Sequence, residues 1–99
     1  MIDLRPNDLT LVQTLLSKHL PANTNVWAFG SRVKGTARPY SDLDLVIDMK
    51  HQPIPYPILV ALRDDFEESD LPFKVDIVDW NAIDDTFREL IQRDRVALY

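Results

Sequence analysis

Asp42 and Asp44 stand two residues apart in the alternating run Asp42-Leu-Asp-Leu-Val-Ile-Asp48. In an extended strand that spacing projects both carboxylates from one face, close to each other. A second alternating run, Phe73-Lys-Val-Asp-Ile-Val-Asp-Trp80, sets Asp76 beside them if the two strands pair in parallel. Three carboxylates converging in this way repel one another unless protons or a cation compensate, and hard oxygen ligands suit Mg²⁺ or Mn²⁺. The functional reading is a two-metal site. The plainer reading is a half-exposed strand with aspartates facing solvent. Against it, aspartate is depleted in strands, where a solvated face more often uses Thr, Lys or Glu.

Gly30-Ser31 closes an earlier apolar run, Val26-Trp-Ala-Phe29. Glycine at a strand end, followed by serine at the start of a helical turn, lets backbone N–H groups and a hydroxyl approach an anion, with phosphate the natural guest. An ordinary strand-to-helix turn with serine as its cap would look the same. The short connection to Asp42 brings this turn beside the carboxylates, and the loop between carries Arg32, Lys34 and Arg38. Three cations next to an acidic metal site fit a metal-bound polyphosphate, although basic loop residues also serve solubility.

The elements that must position these groups can be read from periodicity. Pro6-Asn7-Asp8 starts a helix whose stripe is Leu9, Val12, Leu16 and Leu20, and Pro21 stops it. Val26 to Phe29, Asp42 to Asp48 and Phe73 to Trp80 read as strands, with Leu43, Leu45 and Ile47 on one face of the second. The proline-rich segment Met49 to Pro57 is irregular, and Leu59, Leu62 and Phe66 mark a second helix ended by Ser69 to Pro72. Asn81 is the expected cap of a last helix that buries Ile83, Phe87, Leu90 and Ile91. The connection between the first two strands is short for a parallel crossover, so they should be antiparallel. The helix-containing link to the third favours a parallel crossover. The expectation is an α/β (α+β) fold: a mixed sheet of three strands or slightly more, with helices mainly on one face. Asp48 is expected to be solvated and Asp79 to cap or pair locally. His19 and His51 are read as surface residues, and Trp27, Phe29 and Trp80 as core.

Composition removes several classes. Ninety-nine residues with no internal repeat or linker suit one domain over residues 1–99, with 45% hydrophobic and 27% charged residues, as in globular chains. No cysteine is present, which excludes disulfides, thiolate zinc sites and cysteine catalysis. No apolar run nears the roughly 20 residues of a membrane span and no leader pattern opens the chain, so a soluble, cytoplasmic protein without membrane partners is expected. Eleven basic against 16 acidic side chains give −5, the wrong sign for direct polynucleotide binding.

The stretch Gly30-Ser-Arg-Val-Lys-Gly-Thr-Ala-Arg-Pro-Tyr-Ser-Asp-Leu-Asp-Leu45, with the later strand aspartate Asp76, resembles the signature of the nucleotidyltransferase superfamily that includes DNA polymerase β. Nearly the whole chain, from the first helix through Val75-Asp-Ile-Val-Asp-Trp80, is most similar to its minimal nucleotidyltransferases (MNT), often encoded beside a HEPN-domain partner in toxin–antitoxin pairs. The resemblance implies a nucleotidyltransferase fold in which Asp42 and Asp44 bind two Mg²⁺ ions and Asp76 completes the site as proton acceptor. It also implies that Ser31 and the Gly30 backbone hold the β- and γ-phosphates of a nucleoside triphosphate, ATP as donor, with the loop cations Arg32, Lys34 and Arg38 expected to face those phosphates. Relatives that modify small molecules or primers carry extra domains to grip the acceptor. This shorter chain is expected to take its acceptor from a HEPN toxin, moving AMP to a partner hydroxyl such as tyrosine. The competing expectation is a non-catalytic antitoxin that blocks its partner by contact.

Overall fold

In a computed structural model, which describes residues 2–98, the chain runs α1 (Pro6–His19), β1 (Asn25–Phe29), α2 (Ser31–Lys34), β2 (Leu43–Asp48), α3 (Tyr56–Glu68), β3 (Val75–Asp79), a 3₁₀ turn (Trp80–Ala82), α4 (Asp85–Asp94) and β4 (Val96–Ala97). Pro6 and Pro57 lie in the first turns of α1 and α3, where a missing N–H breaks no intrahelical bond. The sheet order is β3-β2-β1-β4. As expected, β1 and β2 are antiparallel and β2 and β3 parallel. A fourth strand, β4, adds antiparallel to β1, pairing Trp27 with Ala97 and Ala28 with Val96. Two residues are too few for alternation to announce a strand.

Alternation along the strands sorts the side chains into two layers. Val26, Ala28, Leu43, Leu45, Ile47 and Ile77 face Val12 and Leu16 of α1 and Leu62 and Phe66 of α3, forming the core. Burying each such leucine contributes about 1.5–3 kcal/mol. The opposite parity places Trp27, Phe29, Val46 and Val78 on the second face, together with Asp44 and Asp76. There α4 crosses part of the sheet: Phe87 meets Phe29 edge-on at 6.0 Å between ring centres, and Arg88 Nε donates to the Trp80 carbonyl at 3.0 Å. Among the described residues no helix is long and apolar enough to cross a membrane.

Four expectations are corrected. Asp84, not Asn81, caps the last helix, accepting from the Phe87 N–H at 2.8 Å. Asn81 is held in the 3₁₀ turn by Asp79, which accepts its N–H at 3.0 Å, so the helix starts later. Because α4 touches the sheet along a narrow line, Ile91 is buried while Phe87 and Leu90 stay exposed. Asp48 is buried rather than solvated. It accepts from the His51 N–H and from Asn81 Nδ2, pinning a turn in which Lys50 and His51 adopt φ of 53° and 65°. Trp27, Phe29 and Trp80 are not in the core: Trp27 and Trp80 lie 5.8 Å apart on the second face, with the Arg95 guanidinium 4.0 Å above Trp27.

Candidate active site

The site grows from the place where β1 ends. Gly30 takes φ 79° and ψ −154°, a conformation that side chains resist, and turns the chain from Phe29 into α2. A Cβ on Gly30 would run into the carboxylate of Asp44. Glycine is thus required twice, for its backbone and for the approach of Asp44. Ser31 opens α2 at this contact, half-buried.

Strand register sets the carboxylates. Asp44 is paired with Phe29 on one side and with Asp76 on the other, so it lies between the glycine turn and Asp76. Asp42 directly precedes β2, whose first residue, Leu43, donates its N–H to the Lys74 carbonyl at 2.8 Å. That bond ties the starts of β2 and β3 together beneath the acidic groups. Partial burial, then the charges of Asp76 and Asp42, push the Asp44 carboxyl above its ordinary value of 3.8. A cluster of oxygen donors whose mutual repulsion is already felt suits a divalent cation such as Mg²⁺. The described side chains nevertheless stop short of a closed group of three or more ready to hold a metal ion.

The three loop cations have different fates. Arg32 is a correction: it is 5% exposed and faces inward, where its guanidinium donates to the carbonyls of Asp3, Pro39 and Ser41 and lies 4.2 Å over the Phe73 ring. It braces the loop instead of facing phosphates. Lys34 reaches toward α4, with Nζ 4.0 Å from Asp94. Arg38 is exposed and held through its backbone, its N–H donating to Ser41 Oγ at 2.8 Å and its carbonyl accepting from the Ser41 N–H at 3.0 Å.

Two features escaped the sequence reading. A cleft of about 800 Å³ opens along β3, with Tyr40, Asp42, Arg63, Lys74 and Asp76 on its walls. Tyr40, 78% exposed, stands there within two residues of Asp42, and its place in a Pro-Tyr-Ser loop beside the acidic motif was the available signal.

This geometry has counterparts. The family "polymerase beta, nucleotidyltransferase" matches residues 11–99. A Haemophilus influenzae protein named "probable protein adenylyltransferase MntA" is 43% identical over 97 residues, which cover 98% of this chain and 83% of that protein. A solved toxin–antitoxin structure with AMP-PNP superposes with a TM-score of 0.76 at 21% identity, covering 93% of this chain and 73% of that one. A mutant of the MntA–HpeT toxin–antitoxin gives 0.75 at 20% identity, covering 97% and 73%. The two solved structures share the fold, and the family match spans β1 through β4 with the glycine–serine turn and all three aspartates inside it. The chain therefore belongs to the polymerase beta nucleotidyltransferase family.

Proposed function

We propose that this nucleotidyltransferase moves an adenylyl group from ATP to a hydroxyl of a partner protein, a HEPN-type toxin, and so acts as its antitoxin. The unit that does so is residues 1–99 as one domain. The observation that carries the reading is the placement of Asp44, which the sheet register sets between the Gly30 turn and Asp76. The name of the 43% identical relative supports adenylyl transfer, and the toxin–antitoxin structures of the same fold support the partner.

In this reading Ser31 Oγ and the Gly30 backbone hold the terminal phosphates, and Arg38 adds charge from the loop. Asp42, Asp44 and Asp76 hold two Mg²⁺ ions, which when bound neutralise phosphate charge and favour ionisation of the acceptor hydroxyl. Asp76, exposed at the cleft, accepts the acceptor's proton. The acceptor enters along the β3 cleft, whose walls carry Asp42 and Asp76.

Incubating the chain with its HEPN partner, labelled ATP and Mg²⁺ should label the partner, and Asp42→Asn with Asp44→Asn should abolish the label. If the double variant still neutralises the toxin in full, inhibition is steric and the catalytic reading of its biology fails.

A further inference from the structure

The buried Arg32 side chain grips the two carbonyls that flank Tyr40. Nη2 donates to Pro39 at 3.1 Å, and Nε and Nη2 donate to Ser41 at 3.0 and 2.8 Å. The backbone of Tyr40 is therefore fixed, yet the residue is 78% exposed and its hydroxyl has no hydrogen-bond partner among the described residues. Fixing a loop costs about 1–2 kcal/mol of backbone entropy per residue. Here the brace fixes in place an aromatic side chain that packs against no core.

The ring stands on the wall of the cleft that carries Asp42 and Asp76. Asp42 follows two residues later, so the two Cα atoms are at most about 7 Å apart. An unpartnered phenol is thus presented beside the carboxylates that the adenylyl-transfer reading assigns to the reaction. Tyr56, 73% exposed at the start of α3, is equally accessible but does not line this cleft.

We propose that Tyr40 is a self-modification site, accepting an adenylyl group from ATP in its own chain's cleft. The proposal rests on the adenylyl-transfer reading above. Tyr40 Oη attacks the α-phosphorus, an Oη–P bond forms, and the bond between the α-phosphorus and the bridging oxygen breaks. Pyrophosphate leaves with that electron pair, and the phenolic proton passes to Asp76. The product carries a nucleotide at the cleft mouth, where the partner's hydroxyl must enter, so self-modification and partner modification compete.

Two measurements test this. The chain is incubated with ATP and Mg²⁺, alone and with its HEPN partner, and modified sites are located by peptide mass spectrometry. One adenylyl group on Tyr40 and none on Tyr56 is expected, lost in Tyr40→Phe and in the Asp42→Asn, Asp44→Asn variant. Labelling of the partner with Tyr40 unmodified, or self-labelling that persists in Tyr40→Phe, overturns the proposal and leaves the adenylyl-transfer reading standing. Labelling of neither overturns both. Independently of turnover, acetylation by N-acetylimidazole should slow at Tyr40, and not at Tyr56, when Mg²⁺ and a non-hydrolysable ATP analogue are added. Equal rates at Tyr40 with and without the analogue overturn the placement. Tyr40→Phe should melt at the wild-type temperature, because the hydroxyl bonds to nothing in the fold.

Discussion

The carboxylate of Asp44 occupies the space that a side chain on Gly30 would need. The phosphate-binding turn and the metal-binding strand of the proposed site are consequently one packed unit, and neither can move without the other. Gly30→Ala combines this overlap with a positive φ, and each effect costs about 1–3 kcal/mol. Chemical denaturation should show a loss of at least the lower figure, together with loss of adenylyl transfer. An alanine variant of wild-type stability would show that Asp44 yields freely.

Asp44 itself should oppose folding at neutral pH. Its carboxyl is raised above 3.8 by burial and by Asp76 and Asp42, so the folded state binds the proton more tightly than the unfolded chain does. Its contribution to stability is full below 3.8 and is lost as pH rises through the raised value. Asp44→Asn should therefore melt higher than the wild type at pH 7, with the gap closing below pH 3.8. Mg²⁺ should raise the melting temperature of the wild type and have less effect on the variant, since a ligand stabilises only the state that binds it. A variant that melts lower at pH 7 would contradict this account.

How far the sequence discloses such a site depends on what each residue answers to. Asp42, Asp44 and Asp76 were legible because strand period and connection length alone fix their face and neighbours, and the observed register pairs Asp44 with Asp76. Gly30 was legible as a turn, but its contact with Asp44 depends on the sheet closing and has no local signature. Arg32 was misread for the same reason: in sequence it is one of three loop cations, and only the folded loop offers it the carbonyls of Asp3, Pro39 and Ser41. Asp48 likewise became a buried turn brace because Asn81, distant in sequence, returns to it.

Arg32 and Arg38 should accordingly separate in mutation. Hydrogen bonds from a charged donor contribute about 1.5–3 kcal/mol, and orphaned carbonyls add a desolvation cost. Arg32→Met, which keeps a side chain over Phe73, should lose about 2–4 kcal/mol in urea unfolding. Arg38→Gln should leave stability within about 0.5 kcal/mol and weaken ATP binding, read by calorimetry. Equal stabilities for the two variants would mean that Arg32 is not a brace.

Away from the site, Asp65 joins α3 to α1, accepting from Lys18 Nζ at 3.2 Å and sharing a hydrogen bond of 2.6 Å with His19 Nε2. The His19 bond, then the Lys18 bond, hold the Asp65 carboxyl below 3.8. Its sign is opposite to that of Asp44: the stabilisation is complete above 3.8 and fades as pH falls through the lowered value. Asp65→Asn should thus be less stable than the wild type at pH 7, with the difference shrinking below pH 3.8. Because these groups border solvent, high salt should also narrow the difference at pH 7. Urea unfolding of both proteins across this range separates the outcomes. A difference constant with pH would assign the effect to packing between the helices, and a difference that grows in acid would reverse the sign argued here.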